Sequence, residues 1–381
     1  MFNFGRENTG LVAKWWRNVD KQILFLFVFL LLLGLFFSFS STTSVISEKM
    51  NKQTYFFFIK HLIFVFISLS LIFLISIQEK EKLIKVFTYL FIISIVLLFS
   101  TLFFGVEIKG SRRWIELSPF PRFQPVELLK PLFIIFVAKI MVLNETIDIN
   151  KRYFYSFIIL LVVVMILINQ PDLGQTLLLT LTWITMIFVS GFNMILLAIL
   201  GLVFAITIAL LIFFLPEKFG YVFERIKTFL DPKTGDNFQS QKALEAIKQG
   251  GLTGQGMGEG ILKDEVPEAH TDYIIAVISE EFGAIFVLFI VILFLFIGHK
   301  VVNKVLVVND EFLKLTLIGL VSLLIIQTFI HIGVNSRLLP TTGMTLPFLS
   351  YGGSSLIGSS IVAGVILNFT RKDHARYFKN E

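Results

Sequence analysis

The segment 267–273 carries the side chains best suited to acid–base chemistry, and Asp272 is the sharpest candidate among them. The segment leads from a long polar loop into an apolar run, so Asp272 would lie at the boundary between lipid and water. A partly buried carboxylate is a stronger base, which suits removal of a proton from a hydroxyl group. Thr271 or Asp272 could instead only cap the following helix by satisfying its free N–H groups. Both interpretations stay open, and Glu280 and Glu281 could each pair with a basic group inside the bundle.

A second cluster combines two arginines with a Glu–Lys pair. Arg112 and Arg113 precede Trp114, and they could be ordinary interface anchors or could grip a diphosphate, because guanidinium groups bind phosphate oxygens in a bidentate manner. Glu127 and Lys130 are three residues apart, so on a helix they share one face and can form an ion pair. Lys130 could extend towards the interface, or it could be held inside the bundle to meet a phosphate.

The third cluster is the run of prolines, glycines and hydroxyl side chains from residue 339 to 355. One interpretation is a kinked or re-entrant start of the last apolar span, with a backbone that satisfies its own hydrogen bonds. The other is irregular backbone that lines a polar cavity, since irregular backbone at membrane depth is tolerated where it is buried in protein or faces such a cavity. The sequence leaves both open.

Other chemistry is excluded or only weakly indicated. The chain has no cysteine and five histidines, which excludes disulfides, thiolate metal sites and a cysteine nucleophile and leaves no paired metal-ligand spacing. Asp172 fits a helix cap better than a catalyst, and His61 is a single weak signal. The glycine-rich segment 250–260 lacks the Gly-Lys-Ser/Thr ending of a phosphate loop. It is either a flexible turn against the membrane or a close backbone approach to a ligand.

The elements that must position these residues are apolar helices. Hydrophobic residues make up 55% of the 381 positions and charged residues 16%, and the mean hydropathy is +0.82, which is more apolar than a single soluble core absorbs. Apolar runs of about 18 residues predict membrane spans, which are helical because backbone groups in lipid must be bonded internally. We predict an all-α polytopic membrane protein of about ten transmembrane helices, near residues 22–41, 55–78, 84–104, 126–144, 153–168, 173–190, 194–215, 273–298, 312–336 and 346–370.

Charge predicts the orientation of these spans. The loops on the side of both termini hold about 16 basic residues and the short loops on the other side about six, so both termini are expected in the cytoplasm. The chain then divides into a cytoplasmic segment 1–21, a membrane domain 22–370 with a long extracytoplasmic loop 216–272, and a cytoplasmic tail 371–381. Within the loop, 239–249 predicts an amphipathic helix on the outer membrane face, with Ala243, Leu244 and Ile247 on its apolar side. The net charge of +6 fits this topology and contact with membrane lipid, and no nucleic acid is expected as a partner.

Taken together and in this order, the motifs resemble those of the SEDS family, the bacterial shape, elongation, division and sporulation proteins. The resemblance covers about residues 105–370 and is carried by GSRRWI, FQPVELLK, QPDLGQTL, FLDP with a later FQSQ, GGLTGQGMGEG, PEAHTDYIIAVISEEFG and LPTTGMTLPFLSYGGSS. Each motif alone is weak, but the set is specific. The wording TGMTLPF and PEAHTDY, and the early WWRNVD, are more similar to the cell-division branch of the family than to the elongation branch.

The resemblance implies a SEDS-type membrane fold and a peptidoglycan glycosyltransferase. Such an enzyme polymerises lipid II into glycan strands at the outer face of the bacterial cytoplasmic membrane, here at the division septum. The family's catalytic aspartate corresponds to Asp272, which would deprotonate the acceptor hydroxyl; this attacks the anomeric carbon of the lipid-linked donor with inversion, and undecaprenyl diphosphate leaves. Lys130, Arg112 and Arg113 would stabilise the diphosphate charge. The substrate-binding residues expected on this basis are Arg112, Arg113, Glu127, Lys130, Glu268, His270, Ser350, Tyr351 and Gly352.

Partners and cofactors follow from the same resemblance. A class B penicillin-binding protein would supply transpeptidation, alongside other divisome membrane proteins and the undecaprenyl-linked glycan. No cofactor is evident; a divalent cation could help neutralise the diphosphate, but the sequence shows no metal site. Two other functions stay open, namely a transporter that flips lipid II and a scaffold that only recruits a synthase.

The chain departs from the family pattern at three positions. Val126 stands where the family usually has serine, and Thr342 stands where the cell-division branch often has lysine. Arg337 stands where a small residue is common. We expect no effect on the catalytic role, but Thr342 and Arg337 could alter substrate contacts.

Overall fold

The computed structural model describes residues 10–42, 56–108, 110–116, 121–142, 147–199, 201–202, 206, 214, 216–231, 238–262 and 265–372. A two-stranded antiparallel hairpin, β1 (Val106–Ile108) and β2 (Ser111–Trp114), accompanies the helices. The helices are α1 (Leu11–Asn18), α2 (Lys21–Thr42), α3 (Phe56–Ile77), α4 (Lys80–Phe104), α5 (Pro125–Val142), α6 (Ile149–Asn169), α7 (Leu173–Val189), α8 (Pro216–Leu230), α9 (Phe238–Gly250), α10 (Ile274–Val305), α11 (Glu311–Asn335) and α12 (Gly353–Phe369).

The predicted all-α polytopic membrane fold is confirmed. Among the described residues, six helices are long and apolar enough to cross a membrane, namely α2, α3, α4, α6, α10 and α11. Three further helices coincide with predicted spans: α5, which contains Glu127, Lys130 and Lys139, and the 17-residue helices α7 and α12. The predicted span 194–215 is described only at residues 194–199, 201–202, 206 and 214, which are helical; its remainder lies outside the described residues.

Helices α5, α11 and α12 form the centre of the bundle. Within the most apolar 18-residue stretch of each helix, 72% is buried in α11, against 22% in α3 and 28% in α4. Helix α12 packs on α3 and α5, and the approach to α5 requires glycine, because a Cβ atom on Gly358 would lie 2.4 Å from the carbonyl oxygen of Glu127. Large apolar side chains such as Phe66 and Phe103 face outwards from α3 and α4, 73% and 65% exposed. Such surfaces suit lipid contact rather than water.

One end of the bundle is closed by polar contacts between helix termini. Asn368 at the end of α12 donates to three carbonyls at the end of α3 and in the turn after it, at 2.8–3.3 Å. Lys304 at the end of α10 pairs with Asp20, just before α2, at 2.9 Å. The predicted site residues lie at the opposite end, which we call the site end, where α5, α7, α10 and α12 begin.

The long loop contains two helices, of which one was predicted. Helix α9 confirms the predicted helix 239–249. Its buried side, which includes Ala243 and Ala246, packs against the start of α10, so protein rather than lipid covers that side. Helix α8 was not predicted; it leaves Phe223, Ile226 and Leu230 exposed, a pattern typical of a helix that lies on a membrane surface.

The glycine-rich segment 250–260 makes a close backbone approach to α10. Helix α10 is kinked at Gly283, with φ 79° and ψ 174°, and Ala284 N donates to Gly251 O at 3.0 Å. A Cβ atom on Gly254 would lie 2.2 Å from the carbonyl oxygen of Glu281. The sequence left a flexible turn and an approach to a ligand open, and the structure shows instead an approach to the protein's own helix.

Candidate active site

Asp272 lies at the site end, half-buried, two residues before α10 begins. The N-cap position of α10 is occupied by Tyr273, so neither Thr271 nor Asp272 holds it. The carboxylate of Asp272 faces the loop before α12: a Cβ atom on Gly343 would lie 3.5 Å from its Oδ2 atom. Gly343 itself is exposed and has φ +66°. The carboxylate therefore lies beside an open stretch of irregular backbone, as a general base for an incoming hydroxyl requires.

The backbone around Asp272 is held by side chains from other elements. Asn335 at the end of α11 donates through Nδ2 to the carbonyl oxygen of Asp272 at 3.1 Å and accepts from the N–H of Ala276 at 3.3 Å. Ser350 donates to the carbonyl oxygen of Thr271 at 2.7 Å and accepts from the N–H of Leu346 at 2.8 Å. The sequence did not indicate Asn335, because an amide at the end of an apolar span does not reveal which residue it will contact. The position of Asp272 is thus fixed by α11 and by the loop before α12.

Two of the predicted residues, His270 and Tyr351, meet in an aromatic cluster next to Asp272. The rings of His270, Phe57 and Tyr351 contact one another, with centroid distances of 4.9 Å (Phe57–His270), 5.7 Å (His270–Tyr351) and 5.6 Å (Phe57–Tyr351). Tyr351 N donates to His270 O at 2.9 Å. Burial lowers the pKa of His270, while the charge of Glu268 opposes this shift. His61, which the sequence indicated only weakly, packs on Tyr351 with a distance of 5.9 Å between the ring centroids. Neither of its ring nitrogens has a hydrogen-bond partner among the described residues.

Glu268 and Gly352 support the loops that carry this cluster. Glu268 has φ +57°, and its carbonyl oxygen accepts from the N–H groups of Thr271 and Tyr273 at 3.0 and 3.2 Å. Gly352 is the N-cap residue of α12, where its carbonyl oxygen accepts from Leu356 N at 2.9 Å. Of the irregular run 339–355, only the last three residues join the helix, so α12 begins later than the predicted span 346–370.

The Glu–Lys pair of α5 is confirmed and lies inside the bundle. Lys130 Nζ is 2.8 Å from Glu127 Oε2, and each residue is 3% exposed. Lys130 also donates to Gln327 Oε1 on α11 at 3.2 Å, and Gln327 donates to the carbonyl oxygen of Thr345 at 2.9 Å. Gln175 on α7 donates to Glu127 Oε1 at 3.0 Å. Lys130 therefore does not extend to the interface; it joins α5, α7, α11 and the loop before α12 in one polar network.

The two adjacent arginines point to different surroundings. Arg113 donates to the carbonyl oxygen of Pro171 at 2.5 Å and pairs with Asp172 at 3.5 Å, whereas Arg112 is exposed and pairs with Glu107 at 3.3 Å. Asp172 is buried and caps α7 by accepting from Gln175 N at 3.3 Å. Burial raises the pKa of Asp172 and the charge of Arg113 counteracts this. The structure does not bring the arginines together as one diphosphate clamp, and it confirms the predicted cap.

Glu280 and Glu281 lie fully buried in the first turns of α10. Glu280 accepts from Leu262 N at 2.8 Å, and Glu281 accepts from Gly258 N at 3.2 Å and from the hydroxyl group of Ser40. Both carboxylates thus hold the chain that follows α9.

The described residues contain no group of three or more His, Asp or Glu side chains arranged to hold a metal ion. The expectation about a divalent cation therefore stays a prediction, and no step proposed below depends on one.

Comparison with known proteins identifies relatives along the whole chain. Residues 21–375 match the FtsW, RodA and SpoVE family model, described as cell cycle protein. The chain is 31% identical over 374 residues to the probable peptidoglycan glycosyltransferase FtsW of Caulobacter vibrioides, an alignment that covers 98% of this chain and 95% of the relative.

Solved structures give the same result. The fold is similar to one chain of the solved structure "Structural coordination of polymerization and crosslinking by a peptidoglycan synthase complex". The TM-score is 0.76 and the sequence identity is 25%, and the match covers 94% of this chain and 99% of that chain. It is also similar to the rod shape determining protein RodA of Thermus thermophilus, with a TM-score of 0.69, 25% identity, and 93% and 97% covered.

Proposed function

Because this chain belongs to the FtsW, RodA and SpoVE family of cell cycle proteins, we propose that it is a peptidoglycan glycosyltransferase that polymerises lipid II. One observation carries the proposal: the carboxylate of Asp272 lies half-buried against the exposed backbone of Gly343, on a loop fixed by Asn335 and Ser350. A carboxylate held in this way can take a proton without rearrangement of its surroundings, which favours general-base catalysis.

The reaction is a single displacement at the anomeric carbon. Asp272 accepts the proton of the acceptor sugar's hydroxyl group, and the hydroxyl oxygen forms a bond to the anomeric carbon of the donor with inversion. The bond from that carbon to the diphosphate oxygen breaks, and undecaprenyl diphosphate leaves with the electron pair. Positive groups near the leaving diphosphate lower the barrier by stabilising its developing charge.

The predicted roles of Lys130, Arg112 and Arg113 in that stabilisation are less well supported than the role of Asp272. Lys130 and Arg113 each already have a carboxylate partner, Glu127 and Asp172. Their positive charge is therefore largely compensated within the protein, and we propose that both mainly hold the helices that surround the site.

The cellular setting follows from the relatives. The protein is an integral membrane protein, and we propose that it acts in the bacterial cytoplasmic membrane at the division septum, with both termini in the cytoplasm. A class B penicillin-binding protein is the proposed partner, supported by the similar chain in a peptidoglycan synthase complex. That partner would cross-link the glycan strands that this chain produces.

The test is polymerisation by purified protein together with its penicillin-binding partner, whose transpeptidase is blocked, using labelled lipid II. Asp272→Ala is expected to reduce polymer formation by about 100-fold or more, in line with the contribution of a general base. Glu245→Gln, which changes a carboxylate on α9 whose side chain is 40% exposed, is the matched control and should retain activity.

Three outcomes would contradict the proposal. Unchanged polymer formation by Asp272→Ala would remove its catalytic role. Movement of lipid II across vesicles without polymer would favour a transporter. No polymer from the wild type, together with normal division of cells that carry Asp272→Ala, would favour a scaffold.

A further inference from the structure

A cleft at the site end brings together two arginines that the mechanism above does not use. It lies between α8, the start of α9 and the loop after α11. Arg225 and Arg337 line it, together with Thr228, Ser240 and Thr341.

No carboxylate contacts the two arginines of this cleft directly among the described residues. Arg225 donates to the carbonyl oxygen of Thr341 at 3.3 Å, and neither arginine forms an ion pair with a carboxylate among the described residues. Asp172, the carboxylate whose charge acts on Arg225, is already paired with Arg113. The cleft thus differs from the sites of Lys130 and Arg113, where a carboxylate compensates each cation.

Arg337 is held there at a conformational cost. It has φ +55° and follows Ser336, the C-cap residue of α11, while Leu338 N donates to Gly333 O at 2.7 Å. This is the helix-terminating position at which glycine is preferred, because a side chain is strained in the left-handed region. Strain retained in a folded protein points to a function of the strained residue.

The cleft adjoins the proposed catalytic carboxylate. Thr341, which lines the cleft, is two residues from Gly343, whose backbone Asp272 faces. The charges of Arg225 and Asp272 both act on the phenol of Tyr273, whose pKa is raised first by burial. A ligand in the cleft would therefore lie beside the loop that Asp272 faces.

We propose that Arg225 and Arg337 form the site that binds the diphosphate of the polyprenyl-linked saccharide, an assignment that rests on the glycosyltransferase function proposed above. Two guanidinium groups offer several donors to phosphate oxygens in a fixed geometry. Bound there, the diphosphate would lose its bond to the sugar beside two positive charges that no carboxylate contacts directly.

The experiment compares charge-removing and charge-retaining variants in the polymerisation assay with the penicillin-binding partner. Arg337→Gly removes the guanidinium group and relieves the backbone strain, so it should fold at least as well as the wild type; Arg337→Lys keeps the charge. Arg225→Gln is the second charge-removing variant. Lys227→Ala, an exposed basic residue on the same helix that does not line the cleft, is the control.

We expect Arg337→Gly and Arg225→Gln each to raise the KM for lipid II about tenfold, which corresponds to about 1.4 kcal/mol. Arg337→Lys should fall between these variants and the wild type, and Lys227→Ala should match the wild type. Undecaprenyl diphosphate should inhibit the wild type, and this inhibition should weaken in both charge-removing variants.

Competing ligands identify the source of the anion. Undecaprenyl diphosphate is compared with undecaprenyl phosphate, inorganic pyrophosphate and vesicles containing phosphatidylglycerol. Equal inhibition by phosphatidylglycerol would overturn the assignment in favour of a general site for anionic lipid, and equal inhibition by pyrophosphate would favour a site for soluble phosphate. If the wild type polymerises lipid II but Arg337→Gly has an unchanged KM, the inference fails while the proposed function stands. If the wild type does not polymerise lipid II, the proposed function itself fails.

Discussion

At the scale of single residues, the buried pair of Glu127 and Lys130 shows how an ionic group can serve the scaffold rather than the chemistry. Removing two charges from water is costly, and the cost is offset only when each group is paired and hydrogen-bonded. Here Glu127 accepts a further hydrogen bond from Gln175, and Lys130 donates one to Gln327. The network therefore ties α5 to α7 and α11 just below the loop before α12.

This arrangement gives a prediction for Lys130→Met. The variant leaves Glu127 buried without its cation, so the free energy of unfolding in detergent should fall by about 3–5 kcal/mol. Replacing both partners, as in Glu127→Leu with Lys130→Met, should restore most of that loss, because no uncompensated charge then remains.

Lys139→Met on the same helix is the control. Lys139 is half-buried and its recorded contact is with the hydroxyl group of Thr88 at 3.0 Å, so its loss should cost much less. If Lys130→Met were as stable as the wild type, the pair would not hold the helices together. A stable double variant that no longer polymerises lipid II would give Lys130 a role beyond the scaffold.

At the scale of elements, the glycine-rich segment and the kink of α10 form one unit. Gly254 N donates to Gly250 O at 2.8 Å, and Gly256 N donates to the carbonyl oxygen of Glu281 at 3.0 Å. The carbonyl groups of α10 can accept these bonds because the helix breaks at Gly283. The unit contacts α10 at residues 279–285 and so holds the helix around its kink.

Gly254→Ala tests this packing against Gly258→Ala. Both glycines have positive φ. A Cβ atom on Gly254 would lie 2.2 Å from Glu281 O, whereas a Cβ atom on Gly258 would have no atom within 4 Å apart from those of its chain neighbours. Both variants share the cost of a left-handed alanine, about 1–2 kcal/mol. Gly254→Ala should lose about 1–3 kcal/mol more from the clash, measured as the free energy of unfolding.

Limited proteolysis gives a second measurement of the same unit. Gly254→Ala should expose the segment after α9 to cleavage, while Gly258→Ala should resemble the wild type. Equal stability and equal cleavage of the two variants would show that the segment does not depend on its approach to α10.

At the scale of the whole molecule, two polar ends are separated by an apolar bundle. One end holds Asn368 and the pair of Lys304 with Asp20, and the other holds Asp272 and the arginine cleft. Lipid II polymerisation at the outer face requires the site end to face away from the cytoplasm, which agrees with the excess of basic residues expected on the opposite side.

The absence of cysteine from the sequence makes this orientation directly measurable. Glu259→Cys places a thiol in the exposed segment at the site end, and Lys151→Cys places one at the start of α6, at the opposite end. In intact cells, a membrane-impermeant maleimide should label the first variant and not the second. Labelling of the second alone would reverse the orientation; after lysis both should react, which controls for access.

The sequence by itself determined the class of fold and most of its helices. Long apolar runs have one solution in lipid, because every backbone polar group there must be bonded within its own helix. The same reasoning predicted helix α9 from its composition, the Glu127–Lys130 pair from its spacing and the cap at Asp172 from its residue type. These are local properties, since each depends on neighbours within about one or two helical turns.

The tertiary structure alone decided which residues share a site. Asn335 and Asp272 are 63 residues apart, and Arg225 and Thr341 are 116 residues apart, so neither contact could be read from spacing. Whether a cation is compensated depends on which carboxylate the fold brings to it: Arg113 and Lys130 acquire partners, whereas Arg225 and Arg337 line an open cleft. Charge compensation is decided by distances of a few ångströms, and helix packing sets those distances.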